Sequence, residues 1–467
     1  MASNTQETAP LLGGLSEPAD LPTSPTPSRL GRFGILIGLF AGFALSLGTE
    51  VVVPPATPSH NSTDPAFPRP DTVNWKRCGD LECSTFTVPL NHSDPTGRTI
   101  DLALIRHKAT VQPSLGSMFV NPGGPGGSGI DMYDIIGFDP RGIGLSTPVK
   151  CFDSATSHLA FDTNLGLFPR RGDAADEALY AMRARVRAEL CFKNAGDLLP
   201  FTSTAAVARD LDLLREAVGE ELLHYYGYSY GTFLGSTYVN MFPERVGRVI
   251  VDAVVDPREF SGEYFDFIYG GLIHTEAAVD AMAAACEDAG PDRCAMAPKP
   301  PRGSRSHPRT GPSVASRIRT LVASLDTNPL PAPNAAVPGV LTTALASNVI
   351  FLATYQTVRW PAVMEALARA EEGDGTLLRN LAVPAPADAC PTRDESGGEG
   401  FLAVTCADQT PGGIVDFVGF KGAVAKAENV SYFGGREWAY TSLPCFDWGV
   451  KAHEAFRGPW NHVTKNK

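Results

Sequence analysis

The feature that most restricts this chain is a five-residue stretch, Gly227-Tyr228-Ser229-Tyr230-Gly231, set between two segments of different periodicity. Before it, Leu222–Tyr228 is a short apolar and aromatic run of strand type; after it, Thr232–Met241 reads as a helix. A chain that leaves a strand and enters a helix within so few residues must turn sharply, and the central residue takes a strained backbone. The outer positions must then be small, because a side chain there would collide with the turn. In that setting Ser229 is the candidate nucleophile. Without the strand and the helix, the same five letters would be an ordinary glycine-rich turn.

The surrounding chain repeats the alternation. Thr204–Val218 predicts an amphipathic helix, capped by Ser203 or Thr204, with Val207, Leu211, Leu214 and Val218 on one face and Gly219 ending it. Leu102–Ile105, Ser117–Val120, Tyr133–Phe138 and Val246–Val251 read as strands. Strand and helix in turn predict an α/β class, with a parallel sheet and helices on both faces. The α/β core spans 75–256. Residues 257–400 lack such strands. Helical patterns at 274–288, 313–325, 340–356 and 360–371 predict a mostly helical insertion, with Pro298–Pro312 as a loop. There are no internal repeats.

Two more stretches belong with the serine. Asn121-Pro122-Gly123-Gly124-Pro125-Gly126-Gly127-Ser128-Gly129 follows a strand, and glycines let backbone N–H groups approach a developing oxyanion. The donors expected are Gly124 and Tyr230, the residue after the serine. No Gly-Lys-Ser/Thr follows, which excludes a nucleotide loop. Gly137-Phe138-Asp139-Pro140-Arg141-Gly142 ends another strand, and Asp139 and Arg141 are expected to tie down that turn rather than to act in catalysis.

NPGGPGGSG, GFDPRGIGLSTP, the helix ending REAVG, and GYSYGTFLGSTY together resemble the tripeptidyl-aminopeptidase-like α/β hydrolases, relatives of proline iminopeptidase. VGRVIVDAVVDP, VRWPAVMEALARAEEGDG, VTCAD and PCFDWGV resemble that family too, so the likeness runs from about Trp75 to Trp460. It implies a serine peptidase that removes short peptides or single residues from free N-termini beneath a restricting cap. The expected substrate is a peptide or a small ester. An esterase on the same fold and a membrane-tethered binding protein with a dead site are the alternatives.

The sequence departs from the family pattern twice. Only Ile130-Asp131-Met132 separates the glycine loop from the strand at Tyr133, where members carry a helix, so one face of the sheet is expected to be less covered. The family also places its catalytic Asp and His on two further strand ends, beyond the stretch that Phe456–Trp460 resembles. The chain as given ends at Lys467, so residues 401–467 read as an incomplete C-terminal part of the core. His453 and His462 have no strand context. A serine without a base is a poor nucleophile, and impaired activity is expected.

Composition bounds partners and compartment. Net charge is -12, which excludes the basic face a nucleic acid requires. Nine cysteines lack the paired short spacings of a zinc site, and no metal or other cofactor is expected. Eight fall into pairs, Cys78 with Cys83, Cys151 with Cys191, Cys286 with Cys294 and Cys406 with Cys445, leaving Cys390 over. Disulfides are expected because the N-terminal segment points to an oxidising compartment. Residues 1–32 read as a disordered tail, 33–53 as a membrane anchor and 54–74 as a Pro-rich stalk. A cleaved signal peptide, giving a secreted form, is the alternative to the anchor. Arg29 and Arg32 before the apolar run Phe33–Leu47 put the N-terminus in the cytosol and the rest in the lumen or outside. The sequons at Asn61, Asn91 and Asn429 all lie on that side. Glu7-Thr8-Ala9-Pro10-Leu11-Leu12 fits an acidic dileucine signal for vacuolar sorting.

Overall fold

The computed structural model describes residues 72–111, 113–121, 123, 134–162, 168–298, 311–383 and 397–465. The expected anchor at 33–53, Asn61, Gly124 and Cys390 lie outside these residues. Among the described residues no helix is long and apolar enough to cross a membrane.

Seven strands form one sheet: β1 (Lys76–Cys78), β2 (Leu81–Pro89), β3 (Thr99–His107), β4 (Ser117–Asn121), β5 (Asp134–Phe138), β6 (Leu223–Tyr228) and β7 (Val246–Asp252). Their order is β1-β2-β3-β5-β4-β6-β7. The sheet is mixed, which corrects the expectation of a parallel one. β1, β2 and β3 run as an antiparallel meander and β3 pairs antiparallel with β5, whereas β5, β4, β6 and β7 are parallel neighbours. The two groups differ in sequence for a physical reason. In β3, Ile100, Leu102 and Leu104 point inward and alternate with more exposed residues, as suits a strand wetted on one face. β5 is DIIGF, four of its five residues buried, as suits a strand covered on both faces.

The helices are α1 (Ala155–Asp162), α2 (Ala174–Ala195), α3 (Thr204–Ala217), α4 (Tyr230–Met241), α5 (Pro257–Phe260), α6 (Tyr264–Gly271), α7 (Thr275–Ala289) and α8 (Val314–Ser324). A small hairpin, β8 (Leu330–Ala332) and β9 (Gly339–Leu341), precedes α9 (Thr343–Ala353), α10 (Trp360–Glu371) and α11 (Thr376–Ala382). The chain then forms α12 (Gly397–Asp408), α13 (Phe417–Val430) and α14 (Gly435–Thr441).

Ser203 caps α3, and Val207, Leu211 and Leu214 are fully buried. They share one core with Leu234 and Tyr238 of α4 and with Phe119, Ile136 and Tyr225 of the sheet. Each such Leu or Val contributes about 1.5–3 kcal/mol by leaving water. α3 and α4 therefore cover the same face, not opposite faces. On the opposite face Tyr226 is half-buried and its cross-strand partner Ile250 is 54% exposed.

A second body of helices carries its own cores. One joins α7, α8, α9 and α10 through residues such as Val279, Ile318, Ile350 and Leu367. Another joins α2, α6, α13 and α14 through Tyr180, Ile268, Phe420 and Tyr440. Residues 401–465 were expected to extend the hydrolase core, yet among the described residues they add helices and no strand. Phe420, Val424 and Tyr440 join the helical body, whereas Val404 and Trp460 pack against Tyr230 and Phe233 of α4, and β7 has no described strand on its outer edge.

Four disulfides form, Cys78–Cys83, Cys151–Cys191, Cys286–Cys294 and Cys406–Cys445, in the pairs expected. The second ties the segment after β5 to α2, and the fourth ties α12 to the turn after α14.

Candidate active site

Ser229 stands between β6 and α4 with φ 56° and ψ -123°, a left-handed backbone that a non-glycine residue rarely takes. The neighbours enforce it. A Cβ on Gly227 would strike the carbonyl oxygen of Gly231, and one on Gly231 would strike that of Asn121. Tyr225, buried beneath the turn, donates its hydroxyl hydrogen to Gly231 O at 2.7 Å. Thr232 returns both its N–H and its hydroxyl to Ser229 O, at 2.9 and 2.6 Å, and its Oγ1 accepts from Val255 N at 3.0 Å.

Gly123 lies against this turn. A Cβ added to it would come 2.6 Å from Ser229 Cβ. Its N–H donates to Asn121 Oδ1 at 3.0 Å. The glycine loop and the serine elbow are thus neighbours because β4 and β6 are parallel neighbours ending side by side, with Asn121 opposite Gly227.

Ser229 is half-buried and lines a cavity of about 830 Å³, with Tyr228, Tyr230, Val254 and Val255 from the sheet side. The helical body supplies Phe260, Phe267, Phe351, Leu352, Tyr355, Phe401, Val404, Thr405 and Trp438. Eight of these residues also wall a recess of about 250 Å³ that adds Tyr264, Gln409, Glu437, Thr441 and Ser442. Most of this lining is apolar or aromatic, so a charged group within it stands out.

Glu437 is that group. It is 5% exposed, Asn348 Nδ2 donates to its Oε1 at 2.7 Å, and its Oε2 has no hydrogen-bond partner. Burial pushes its carboxyl up to about 7, against the lowering bond from Asn348. Gln409 beside it is buried with both amide atoms unpartnered. The larger cavity, which Ser229 lines, has two carboxylates of its own, Asp256 and Glu259; Asp256 caps α5 and pairs with Arg258, whose hydrogen bonds hold it below the usual carboxylate range. Glu259 is raised by burial and by the charges of Asp256 and Asp266.

Residues 118–268 match the family model described as alpha/beta hydrolase fold. The chain is 37% identical over 211 residues to a tripeptidyl aminopeptidase of Streptomyces lividans, covering 40% of this chain and 38% of that protein. It is 35% identical over 213 residues to the serine protease Hip1 of Mycobacterium tuberculosis, covering 40% of each. A longer match, 29% identical over 427 residues, joins 82% of this chain to 74% of a carboxylesterase B of the same organism. The chain has the α/β-hydrolase fold and, over part of its length, is similar to tripeptidyl aminopeptidases. It spans well under half the length of the peptidases it matches.

In this hydrolase the other sequence-derived candidates separate cleanly. Arg141 is fully buried and makes a bidentate pair with Asp210, at 2.6 and 2.5 Å. It also donates to the carbonyl oxygens of Leu90, Phe201 and Pro89. Asp139 accepts from Leu145 N at 2.9 Å and fills the space a side chain at Gly144 would need. Both residues hold the turn after β5. No histidine is among the described residues that line the cavity. His453 stacks beside Phe201, and His462 bonds through Nδ1 to Asn240 O at 2.6 Å. Asn91 of the second sequon accepts from Ser93 N, and Asn429 is exposed near the end of α13. Among the described residues no cluster of His, Cys, Asp and Glu suits a metal.

Sequence reasoning missed Glu437, Gln409 and Asp408. Glu437 sits in Gly435-Arg436-Glu437-Trp438, where a helix that is polar on one side gives no sign of which carboxylate faces inward. Asp408 lies in VTCAD, a stretch whose family likeness was visible but whose role was not.

Proposed function

We propose that this hydrolase cleaves acyl bonds near a free amino end, releasing short N-terminal fragments from peptides, with Ser229 as its nucleophile. The observation that carries the reading is a strained serine at a strand-to-helix turn in one cavity and a buried, half-satisfied glutamate in an aromatic recess that shares eight wall residues with it. A protonated α-amino group is a cation with three donors, and Glu437 Oε2 offers an unused acceptor. A neutral amine arriving there would take the Glu437 proton, and an arriving ammonium would favour its loss to solvent; either way an ammonium–carboxylate bond forms where water is scarce. The Tyr230 backbone N–H and a donor from the loop that begins at Gly123, Gly124 in the sequence reading, would meet the oxyanion. The similarity to the Streptomyces lividans tripeptidyl aminopeptidase supports the same substrate class.

With no histidine among the described lining residues, these residues by themselves would acylate slowly. Binding and bond-breaking are therefore tested apart. A fluorophosphonate probe should label wild type and leave Ser229→Ala unlabelled. Tripeptide anilides with a free N-terminus should bind more tightly than their N-acetylated forms, and Glu437→Gln should erase that preference. Equal binding of the two forms, with ester substrates turned over faster than either, would replace this reading by an esterase one.

The catalytic side is proposed to face the lumen or the exterior, a reading that the four disulfides support. Glycosidase treatment of material from the native host should increase its mobility on a denaturing gel. An unchanged mobility would count against this topology.

A further inference from the structure

Outside the residues that line the cavity, and linked to the serine elbow, lies a second buried acid that the proposed chemistry leaves unused. Asp408, the last residue of α12, is 3% exposed. Its Oδ1 accepts from Thr204 N at 3.0 Å, and its Oδ2 accepts the Thr204 hydroxyl at 2.6 Å. Thr204 is the first residue of α3, so a carboxylate 204 residues away meets the positive end of that helix. Thr204 Oγ1 is in turn 2.5 Å from the phenol oxygen of Tyr230, which is buried against Phe233, Phe260 and Val404. Tyr230 is the residue after the serine and opens α4.

We infer that Asp408 is a positioning residue: acting through Thr204, it fixes Tyr230 and so the backbone N–H that follows Ser229. The direction of the chain gives this content. With Asp408 ionised, Tyr230 donates to Thr204 and Thr204 donates to Asp408. With Asp408 protonated, its own O–H can donate to Thr204, and the whole sequence reverses. The ionised form makes the stronger, charge-assisted link and holds Tyr230 more firmly. Burial pushes Asp408 up to about 7, against the Thr204 bonds and the charge of Arg457, so both directions occur near neutrality. The groups facing it are few: Tyr230 from α4, Thr204 from α3, and Arg457, whose Nη2 donates to Asp408 O at 3.3 Å. α12 also lends Phe401, Val404 and Thr405 to the cavity, so the same helix walls the site and braces the elbow.

This inference rests on the reading of Ser229 as nucleophile, and its test separates the two. The full chain is labelled with ¹³Cζ-tyrosine, and the Tyr230 resonance is assigned by its loss in Tyr230→Phe. In wild type that resonance should shift between pH 5.5 and 8.5 with a midpoint near 7. In Asp408→Asn, an isostere of the protonated form, and in Thr204→Val, it should not shift. Fluorophosphonate labelling of Ser229 should also slow about tenfold in Asp408→Asn and lose its dependence on pH. That is less than the hundredfold or more expected when an oxyanion donor is removed outright. A Tyr230 resonance that ignores pH, or still titrates in Asp408→Asn, overturns the inference whether or not Ser229 labels. Titration of Tyr230 without any labelling of Ser229 would sustain the Asp408–Tyr230 link and defeat both its proposed effect on the serine and the nucleophile reading. Matching urea midpoints at pH 6 for the variants and wild type exclude unfolding as the cause.

Discussion

The wall that the sheet gives the cavity and the wall that the helices give it differ in how they are specified. On the sheet side, the turn around Ser229 is fixed by residues within a few positions of it. Gly227, Gly231 and Thr232 act through the backbone, and Gly123 arrives because β4 and β6 pair. On the helical side no short stretch suffices. Phe260, Phe351, Phe401 and Trp438 come from α5, α9, α12 and α14, and Glu437 meets its Asn348 partner across 89 residues of chain. The first kind of wall tolerates almost no change at its glycines. The second can be altered in lining and charge while the chemistry beside it persists.

The sharpest break between the two walls is Ser229→Ala, which should cut labelling and turnover by about a thousandfold or more without moving the unfolding midpoint. Gly231→Val tests the same wall through stability. Its side chain would press into Asn121 O, and a loss of about 3 kcal/mol is expected by urea titration. A comparable loss in a helical-wall variant such as Leu352→Ala, 40% exposed, would erase the distinction.

The buried acids provide the next effect. Burial raises both Asp408 and Glu437 to about 7, well above their values in an unfolded chain. The folded form therefore binds more protons than the unfolded form between about pH 4 and 7, and stability falls as pH rises through that window. The fall should be on the order of a few kcal/mol, read as urea midpoints at pH 4.5 and 7.5. Asp408→Asn with Glu437→Gln should flatten this slope.

Glu437→Gln alone should reduce kcat/KM for free N-terminal tripeptides about thirtyfold, as suits the loss of about 2 kcal/mol from a charged hydrogen bond. It should leave N-acetylated substrates nearly unchanged. The smallest change is expected on the far face of the sheet. Ile250→Thr, at a side chain 54% exposed, should move stability by less than about 0.5 kcal/mol.

The same contrast governs what the sequence revealed. The elbow was legible because strain at Ser229 leaves its mark on adjacent letters, and the cap helices were legible from their periodicity. Two cysteine pairs, 5 and 8 residues apart, were legible because short loops limit the choice of partner, and the other two because each brackets one stretch of chain. The antiparallel meander was not foreseen, because alternation in Thr99–His107 reports a half-exposed strand and not its direction. Asp408 and Glu437 were hidden for a related reason. A carboxylate in a helix reads as a solvated group, and only tertiary packing turned these two inward, one onto the start of α3 and the other into an aromatic recess.

The Cys406–Cys445 bond has a mechanical consequence. α12 carries Phe401, Val404 and Thr405 on one side of the bond, and α14 carries Glu437 and Trp438 just before the turn on the other. Joined covalently, these two helices form a single jaw. They keep their mutual spacing while a substrate enters or a product departs, so the distance between Glu437 and the α12 wall acts as a fixed gauge. Whatever opening the passage of a substrate demands falls to the opposite jaw, where Phe260, Phe267 and Phe351 meet the cavity on α5, α6 and α9 with no disulfide among them.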